Sequence, residues 1–276
     1  MRIDLHVHTI ESDGVCSVAE VFEAVRRHGV GIFSLTDHES TQGIATAQEL
    51  ARKSSVTVIP GVELLTSYQG QEVHLLGYFK DVDHPLLQSR LKELREHRTA
   101  LAYDMVKLLQ QSGIGVKWPD VEKAAGGDGA VSKGHIMRVL YQKERFTGKF
   151  DWGDVGAFFQ PGGMAYLPFL EHRFEEAVDL ILATGGMPVL AHPGILRDPG
   201  IVPKLLSYRR IGLEVYYGYW KERQALIDYY AGVAREKALL ATGGSDFHGP
   251  FSTVKIGQID VPMEGVRILE DYLEIR

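Results

Sequence analysis

The sequence predicts an α/β fold, a closed barrel of about seven mainly parallel strands with an all-helical insertion. Short apolar runs of strand length alternate with longer helical runs, which is the order of repeated βα units. Most of the strand-like runs end in polar residues, as in barrels whose site lies at the C-terminal ends of the strands. An open doubly wound sheet is the alternative, because a sequence does not show whether a sheet closes.

Seven runs rich in Val, Ile and Leu predict strands, at 3–8, 32–36, 56–61, 73–79, 188–191, 213–216 and 239–242. Five amphipathic runs between or after them predict helices, at 18–28, 44–53, 174–183, 221–237 and 263–275. A strand followed by a helix returns the chain to the same edge of the sheet, so this order favours parallel pairing.

The segment 84–168 interrupts the alternation and predicts four helices. The first is long and ends at Gln111, the second is short and follows Trp118-Pro119-Asp120, the third covers 133–144, and the fourth lies around 152–159. We therefore predict a barrel formed by 1–83 and 169–276, with 84–168 as a helical insertion that covers the rim like a lid.

Composition narrows the class of protein. The 276 residues carry a formal charge of −6, which argues against a broad basic face for duplex DNA. Cys16 is the only cysteine, so an internal disulfide is excluded and a reducing compartment is favoured. No apolar run approaches the roughly 18 residues that span a bilayer. We expect a soluble cytoplasmic protein that binds no membrane.

Histidines are concentrated at the predicted strand ends, most of them beside a carboxylate. These histidines are His6, His8, His38, His74, His192 and His248. Residues i and i+2 of a strand point to one face, so His6 and His8 can share a metal, and so can Asp246 and His248. One such pair is weak evidence, but five strand ends together predict a polynuclear site. Imidazole with carboxylate suits manganese, iron or zinc.

Seven motifs appear in a fixed order along the chain. They are Asp4-Leu5-His6-Val7-His8, Ser12-Asp13-Gly14, Leu35-Thr36-Asp37-His38, Pro60-Gly61-Val62-Glu63, His74-Leu75-Leu76-Gly77, Ala191-His192-Pro193-Gly194 and Gly244-Ser245-Asp246-Phe247-His248. In this respect the chain resembles, essentially end to end, the PHP family, named for polymerase and histidinol phosphatase. Its insertion resembles that of stand-alone bacterial members that act on nucleoside 3′,5′-bisphosphates and short 5′-phosphorylated RNA. The resemblance implies a distorted seven-stranded barrel and a metal-dependent phosphoesterase.

The resemblance also implies nine ligands for three divalent ions, expected to be Mn²⁺ with Fe²⁺ or Zn²⁺ as alternatives. The ligands are His6, His8 and Asp246 for the first ion, Glu63, His74 and His192 for the second, and Asp13, His38 and His248 for the third. Glu63 would bridge the first two ions and hold the metal-bridging hydroxide that attacks phosphorus. The net positive charge of such a site explains how an acidic protein attracts phosphate.

Four basic residues are candidates for binding substrate phosphate: Arg98, Lys133 and His135 in the insertion, and Arg197 after the His192 motif. Basic residues on a polar helix are more often simply solvated. Relatives often carry an arginine directly after the glycine of that motif, whereas Ile195 stands there in this chain.

Other polar and aromatic residues have two open interpretations. Asp4 and Asp37 either orient imidazoles from behind or make ordinary caps and ion pairs. The aromatic run 216–220 either stacks a base at the rim or packs in the core. The remaining histidines, His172 among them, carry no motif and are expected at the surface.

Three hydrolytic functions compete. The leading one is hydrolysis of a phosphate ester of a small nucleotide or a short oligoribonucleotide, as a phosphatase or exonuclease. Histidinol phosphate phosphatase shares the same fold and cluster. An amidohydrolase-type C–N hydrolase also begins with His-x-His, but it expects a bridging lysine where this chain has Glu63, and a lone terminal aspartate where His248 follows Asp246.

Overall fold

The computed structural model describes residues 1–126, 130–147 and 152–275. The strands are β1 (Arg2–Val7), β2 (Val30–Leu35), β3 (Thr57–Val58), β4 (Gly61–Tyr68), β5 (Gln71–Tyr78), β6 (Met187–Leu190), β7 (Gly212–Tyr217) and β8 (Ala241–Gly244). The helices are α1 (Val18–Arg27), α2 (Ile44–Ala51), α3 (Pro85–Gln111), α4 (Trp118–Ala125), α5 (Lys133–Thr147), α6 (Trp152–Ala157), α7 (Phe174–Ala183), α8 (Val202–Tyr208), α9 (Arg223–Glu236) and α10 (Met263–Leu273).

The strands form two sheets. One has the order β1-β2-β3 and is parallel, and the other has the order β4-β5-β6-β7-β8. In the second sheet β5 runs antiparallel to both of its neighbours, whereas β6, β7 and β8 are parallel. Isolated bridges of Val7 with Phe247 and of His38 with Glu63 bring edges of the two sheets together. The fold is thus mixed α/β, and closure into a barrel stays a prediction.

The hairpin of β4 and β5 corrects the predicted strand at 56–61. That segment divides into the two-residue β3 and the start of β4, which continues to Tyr68. The turn consists of Gln69 and Gly70, both with positive φ, at 49° and 74°. Positive φ at both central residues is the geometry of a type I′ hairpin turn. A Gln-Gly pair is a weaker signal for this turn than Asn-Gly, so the sequence did not reveal it.

Helix α3 joins two hydrophobic clusters. Leu87, Leu91 and Leu94 pack in the large cluster that also contains some of the residues of β1, β2 and β4. Met105 and Leu109, further along α3, pack in a second cluster with side chains of α4, α5 and α6. The all-helical segment therefore has a core of its own but shares its first helix with the sheets, and its role as a separate insertion domain stays a prediction.

Local signals explain where several helices begin. Ser17 accepts the backbone N–H of Glu20, whose carboxylate accepts the N–H of Ser17, which is a capping box at the start of α1. Pro85 occupies the first turn of α3, where its missing N–H is no loss. Among the described residues, no helix is both long and apolar enough to cross a membrane.

Candidate metal centre

The first group of possible metal ligands lies at the C-terminal ends of β1 and β8 and near the start of β4, where Glu63 is the third residue. The Nε2 atom of His6 lies 3.2 Å from Glu63 Oε2 and 3.3 Å from Asp246 Oδ1. The Nε2 atom of His8 lies 3.2 Å and 3.1 Å from the same two oxygens. Two imidazoles and two carboxylates thus surround one point, as alternation along β1 predicts for His6 and His8.

A second group stands on the other side of His8. The Nε2 atom of His248 lies 3.3 Å from Asp13 Oδ1, and the Nδ1 atom of His8 lies 3.9 Å from that oxygen. His38 completes this group, in which each residue offers a ligand atom within 4.8 Å of the others. The rings of His8 and His248 are stacked, with centroids 4.1 Å apart.

Glu63 is the centre of the arrangement. Its Oε2 atom faces His6, His8 and His38, the last at 3.4 Å from Nδ1. Its Oε1 atom lies 2.8 Å from His74 Nδ1 and 3.1 Å from His192 Nε2. All nine residues singled out in the sequence therefore lie together. His8 belongs both to the group with Asp246 and to the group with Asp13, and His38 belongs both to the group with Asp13 and to a third group with Glu63 and His74.

Backbone contacts hold the ligand-bearing strand ends in register. The N–H of Glu63 donates to the carbonyl of Asp37, and the N–H of Glu39 donates to the carbonyl of Glu63, at 3.3 and 3.0 Å. These bonds place the loop after β2 beside β4. His192 and Asp246 have φ values of 26° and 49°, in the sparsely populated left-handed region. Such strain is common where the surrounding structure fixes a functional side chain.

In the histidines His6, His8 and His74, the nearby carboxylates outweigh the effect of burial on the pKa. Burial by itself lowers the pKa of His6, but the carboxylates of Glu214, Glu63 and Asp246 outweigh it and raise the pKa well above its usual value. By the same balance, the pKa of His8 is raised to about 10 and that of His74 to about 9.

The carboxylates shift in the opposite direction. Burial raises the pKa of Glu63, yet His38, His6 and His74 hold that pKa well below the usual range. For Asp13 and Asp246, too, burial raises the pKa while the neighbouring imidazoles lower it, and both pKa values lie well below the usual range. Without a cation, protons on the imidazoles balance these carboxylates, so metal binding must release protons.

The residues present fit divalent metal ions. Among the residues that the structure describes, several buried polar atoms make no hydrogen bond of normal geometry, including Nδ1 and Nε2 of His8, Nδ1 of His38 and Oδ1 of Asp13. A buried polar atom without a partner costs about 1–3 kcal/mol, and a bound cation would satisfy these atoms. The ligand atoms are nitrogen and oxygen only, a set that suits manganese, iron or zinc.

Glu214 and Tyr217 support the cluster, and the sequence did not single out either residue for this role. Glu214 is fully buried on β7, with Oε1 2.9 Å from His6 Nδ1 and Oε2 accepting the backbone N–H of His192 at 2.8 Å. The hydroxyl of Tyr217 donates to Asp246 Oδ2 at 2.8 Å. An acidic residue in the apolar run Leu213-Glu214-Val215 was the available signal.

Of the two interpretations of Asp4 and Asp37, the structure favours ordinary loop contacts over orientation of the ligand rings, since within the described residues their hydrogen bonds go to backbone N–H groups and hydroxyls. Asp4 accepts the backbone N–H groups of Ser245 and Gly257, each at 2.8 Å. Asp37 accepts the hydroxyls of Thr9 and Ser12, at 2.7 and 2.6 Å. Both buried carboxylates therefore fix the loops that carry ligands. Buried backbone N–H groups need hydrogen-bond partners, and these two carboxylates supply them.

A cavity of about 130 Å³ adjoins the cluster. Three of the candidate ligands, Asp13, His38 and His74, form one side of it. The helical segment supplies Arg98 and Lys133. The apolar wall is formed by Leu101, Met105, Phe159 and Leu167 of that segment and by Phe169, which follows it. Lys133 Nζ lies 3.2 Å from Glu72 Oε1, and the same oxygen lies 3.2 Å from His74 Nε2.

His135 and Arg197 lie elsewhere, and their predicted roles stay predictions. His135 is buried, its Nδ1 accepts the N–H of Ser132 at 3.0 Å, and burial lowers its pKa to about 4. Its ring is therefore neutral near pH 7. Arg197 is exposed and donates to the carbonyl of Gly70, at the tip of the β4–β5 hairpin, at 3.2 Å. Neither residue is part of the cavity wall described above.

Residues 4–117 match the family model of the PHP domain. Over 275 residues the chain is 30% identical to the 5′-3′ exoribonuclease Rnm of Escherichia coli (strain K12), covering 95% of this chain and 92% of that protein. The chain belongs to the PHP family. It is a hydrolase of phosphoric esters that depends on metal.

Two further relatives of this PHP protein carry other names. One is a 3′,5′-nucleoside bisphosphate phosphatase of Chromobacterium violaceum, 31% identical over 261 residues, covering 90% of this chain and 88% of that protein. The other is a phosphoribosyl 1,2-cyclic phosphate 1,2-diphosphodiesterase of Eggerthella lenta, 30% identical over 261 residues, covering 91% and 95%. Ester hydrolysis is thus common to the relatives, while the substrate differs.

A solved structure shares the fold over nearly the whole chain. It is described as an amidohydrolase from Chromobacterium violaceum with bound sulfate and no metal. The TM-score is 0.87 at 28% identity, and the match covers 99% of this chain and 97% of that one. The α/β fold predicted from the sequence is therefore confirmed.

Proposed function

We propose that this PHP phosphoesterase hydrolyses a phosphate ester at the end of a small nucleotide, either a nucleoside 3′,5′-bisphosphate or a short 5′-phosphorylated oligoribonucleotide. The cavity between the candidate ligands and the helical segment carries the proposal. Its volume of about 130 Å³ is well below the roughly 300–1,000 Å³ of pockets that enclose whole ligands. It therefore suits one terminal group, with the remainder of the substrate outside.

We further propose that the nine clustered residues hold three divalent ions, with Mn²⁺ as the expected metal. They are His6, His8, Asp13, His38, Glu63, His74, His192, Asp246 and His248. Divalent ions held there would lower the pKa of a bound water and offset charge on the phosphate oxygens. Glu63 faces five imidazoles through its two oxygens, which suits a residue shared between ions.

The basic residues of the cavity have a distinct role in this proposal. Arg98 and Lys133 bind the oxygens of the phosphate, because a guanidinium and an ammonium make short charge-assisted bonds to such oxygens. The apolar walls exclude water from this pocket. Segment 84–168 acts as the lid, and Arg197, outside the cavity, is left to contact a second phosphate or none.

The relatives support a nucleotide substrate through the names of the exoribonuclease and the bisphosphate phosphatase. The related Chromobacterium violaceum structure holds sulfate, an anion with the shape of phosphate. The basic and aromatic side chains of the helical segment also favour a nucleotide over histidinol phosphate.

The test is a substrate screen with manganese-loaded protein that measures released inorganic phosphate and, for the RNAs, released nucleoside 5′-monophosphates as well. The substrates are nucleoside 5′-monophosphates, nucleoside 3′,5′-bisphosphates, short 5′-phosphorylated RNAs, a phosphoribosyl 1,2-cyclic phosphate and histidinol phosphate, and Glu63→Gln protein controls for contaminating phosphatases. We expect the bisphosphate or the RNA to exceed histidinol phosphate by at least about tenfold in kcat/KM, a difference of ~1.4 kcal/mol. Preference for histidinol phosphate or for the cyclic phosphate would overturn the proposed substrate.

A further inference from the structure

Glu39 occupies an unusual position beside the cluster. It follows His38 directly, is fully buried, and has a positive φ of 47°. A non-glycine residue in this region is uncommon and persists only where its surroundings hold it. None of the roles assigned so far uses its carboxylate.

Both oxygens of that carboxylate have partners from different parts of the fold. Oε1 accepts the backbone N–H of Leu65 on β4 at 2.6 Å. Oε2 accepts Nη1 of Arg98 on α3 at 2.5 Å. The backbone of Glu39 is fixed as well, because its N–H donates to the carbonyl of Glu63 at 3.0 Å. Glu39 therefore connects the strand that carries Glu63 with the helix that carries Arg98.

The Arg98 side chain is only 8% exposed and forms part of the cavity wall. A guanidinium has five N–H donors in a rigid plane, so one bond to Glu39 fixes the direction of the others. Without that bond, a long side chain must lose its rotational freedom when substrate arrives, and this weakens binding.

We infer that Glu39 is a positioning residue, which holds the Arg98 guanidinium at the cavity wall for contact with a phosphate oxygen. The inference rests on the proposed function in that phosphate must reach this cavity. It assigns specificity for phosphate to a pair of residues, one from the β2–α2 connection and one from α3, rather than to Arg98 alone.

Arg95 provides a matched control on the same helix. It lies three residues before Arg98 and donates to the backbone carbonyl of Glu39 at 2.7 Å, without contacting the carboxylate. It does not form part of the cavity wall described for Arg98. Arg95→Ala thus removes a tether between α3 and Glu39 and leaves the Glu39–Arg98 pair intact.

The experiment is a double-mutant cycle read by calorimetric binding of inorganic phosphate to manganese-loaded protein. The variants are Glu39→Gln, Arg98→Ala, the double variant and Arg95→Ala, each checked for metal content and thermal unfolding. We expect Glu39→Gln and Arg98→Ala each to weaken phosphate binding by about tenfold to a hundredfold, the range for a charge-assisted bond. The double variant should bind about as weakly as Arg98→Ala, and Arg95→Ala should stay within about twofold of the wild type.

Three results would overturn the inference: losses that multiply in the double variant, no loss in Glu39→Gln, or an equal loss in Arg95→Ala. Removing one member of a buried ion pair can unfold a protein. If that occurs, Glu39→Asp and Arg98→Lys, which keep both charges, replace the failing variants in the cycle. Because phosphate itself is the probe, the result stands even if no nucleotide is hydrolysed, and a failure of the proposed substrate is seen separately in the substrate screen.

Discussion

Glu214 is buried beneath the cluster and touches two of its candidate ligands, His6 and His192. Sequence patterns reveal residues such as His6 and His8 because their spacing is local, whereas the contacts of Glu214 join residues 208 and 22 positions apart. Motifs therefore predicted the nine clustered side chains, and the residues that support them became visible only in the fold.

Replacing Glu214 with Gln tests this supporting role. The amide keeps the size of the side chain but offers a single acceptor oxygen, so either the His6 ring or the His192 N–H loses its partner. We expect manganese affinity, measured by competition with a chelator, to fall by about 10- to 100-fold. Glu49→Gln, at an exposed site on α2, is the control. Unchanged affinity in Glu214→Gln would show that the contact does not orient the ligands.

The buried side chain of His172 makes the stability of the protein depend on pH. The sequence suggested a surface position, which is wrong, because the side chain is 1% exposed. Burial, aided by Arg90, lowers its pKa to about 3. In the unfolded chain the histidine pKa is near 6.5, so between about pH 3 and pH 6.5 the unfolded chain binds this proton more readily than the folded protein does. His172 therefore contributes stability above about pH 6.5 that is lost as the pH falls toward 3.

The corresponding measurement is urea unfolding of wild-type and His172→Gln protein between pH 4 and pH 7. The wild-type free energy of unfolding should rise with pH more steeply than that of the variant, by up to about 1.4 kcal/mol per pH unit. The exposed His97, replaced by Gln, is the control. Parallel curves for wild type and His172→Gln would contradict the effect of burial on this pKa.

Among the elements, helices were easier to predict than strands. Helix α7 has the predicted bounds, because its apolar residues repeat at helical spacing over a full 10 residues. The β4–β5 hairpin was missed, because β4 is buried along most of its length and shows no alternation of polar and apolar residues. This hairpin matters for the site, since it presents both Glu63 and His74.

Replacing two glycines by alanine, one in the hairpin turn and one within a helix, tests the conformation of the turn. Gly70 has a φ of 74°, and Gly232 lies within α9; a Cβ on either would meet nothing within 4 Å. Gly70→Ala should lower the free energy of unfolding by about 1–2 kcal/mol, because alanine disfavours positive φ. Gly232→Ala should raise it by about 0.5–1 kcal/mol, because alanine favours the helix. Equal effects of the two changes in chemical denaturation would contradict the type I′ turn.

In the whole molecule, strands of both sheets and the loops that follow them bring nine side chains to one place, although these residues span positions 6 to 248. Parallel strands explain this in part, since their C-terminal ends meet at one edge. The identity of the nine residues was predictable, because each stands in a short motif. Their grouping, in which His8 and His38 each belong to two groups of possible ligands, was not predictable, because it depends on ring orientations that no sequence pattern records.

The central claim is that these nine residues form one polynuclear metal centre for phosphoester hydrolysis. Its most direct test is elemental analysis of wild-type and Glu63→Gln protein after reconstitution with manganese, combined with phosphate release by the same samples. We expect up to three ions per wild-type chain, and fewer ions with no turnover in Glu63→Gln, because Glu63 faces five of the imidazoles. One ion or none in the wild type, together with retained activity in Glu63→Gln, would contradict the claim.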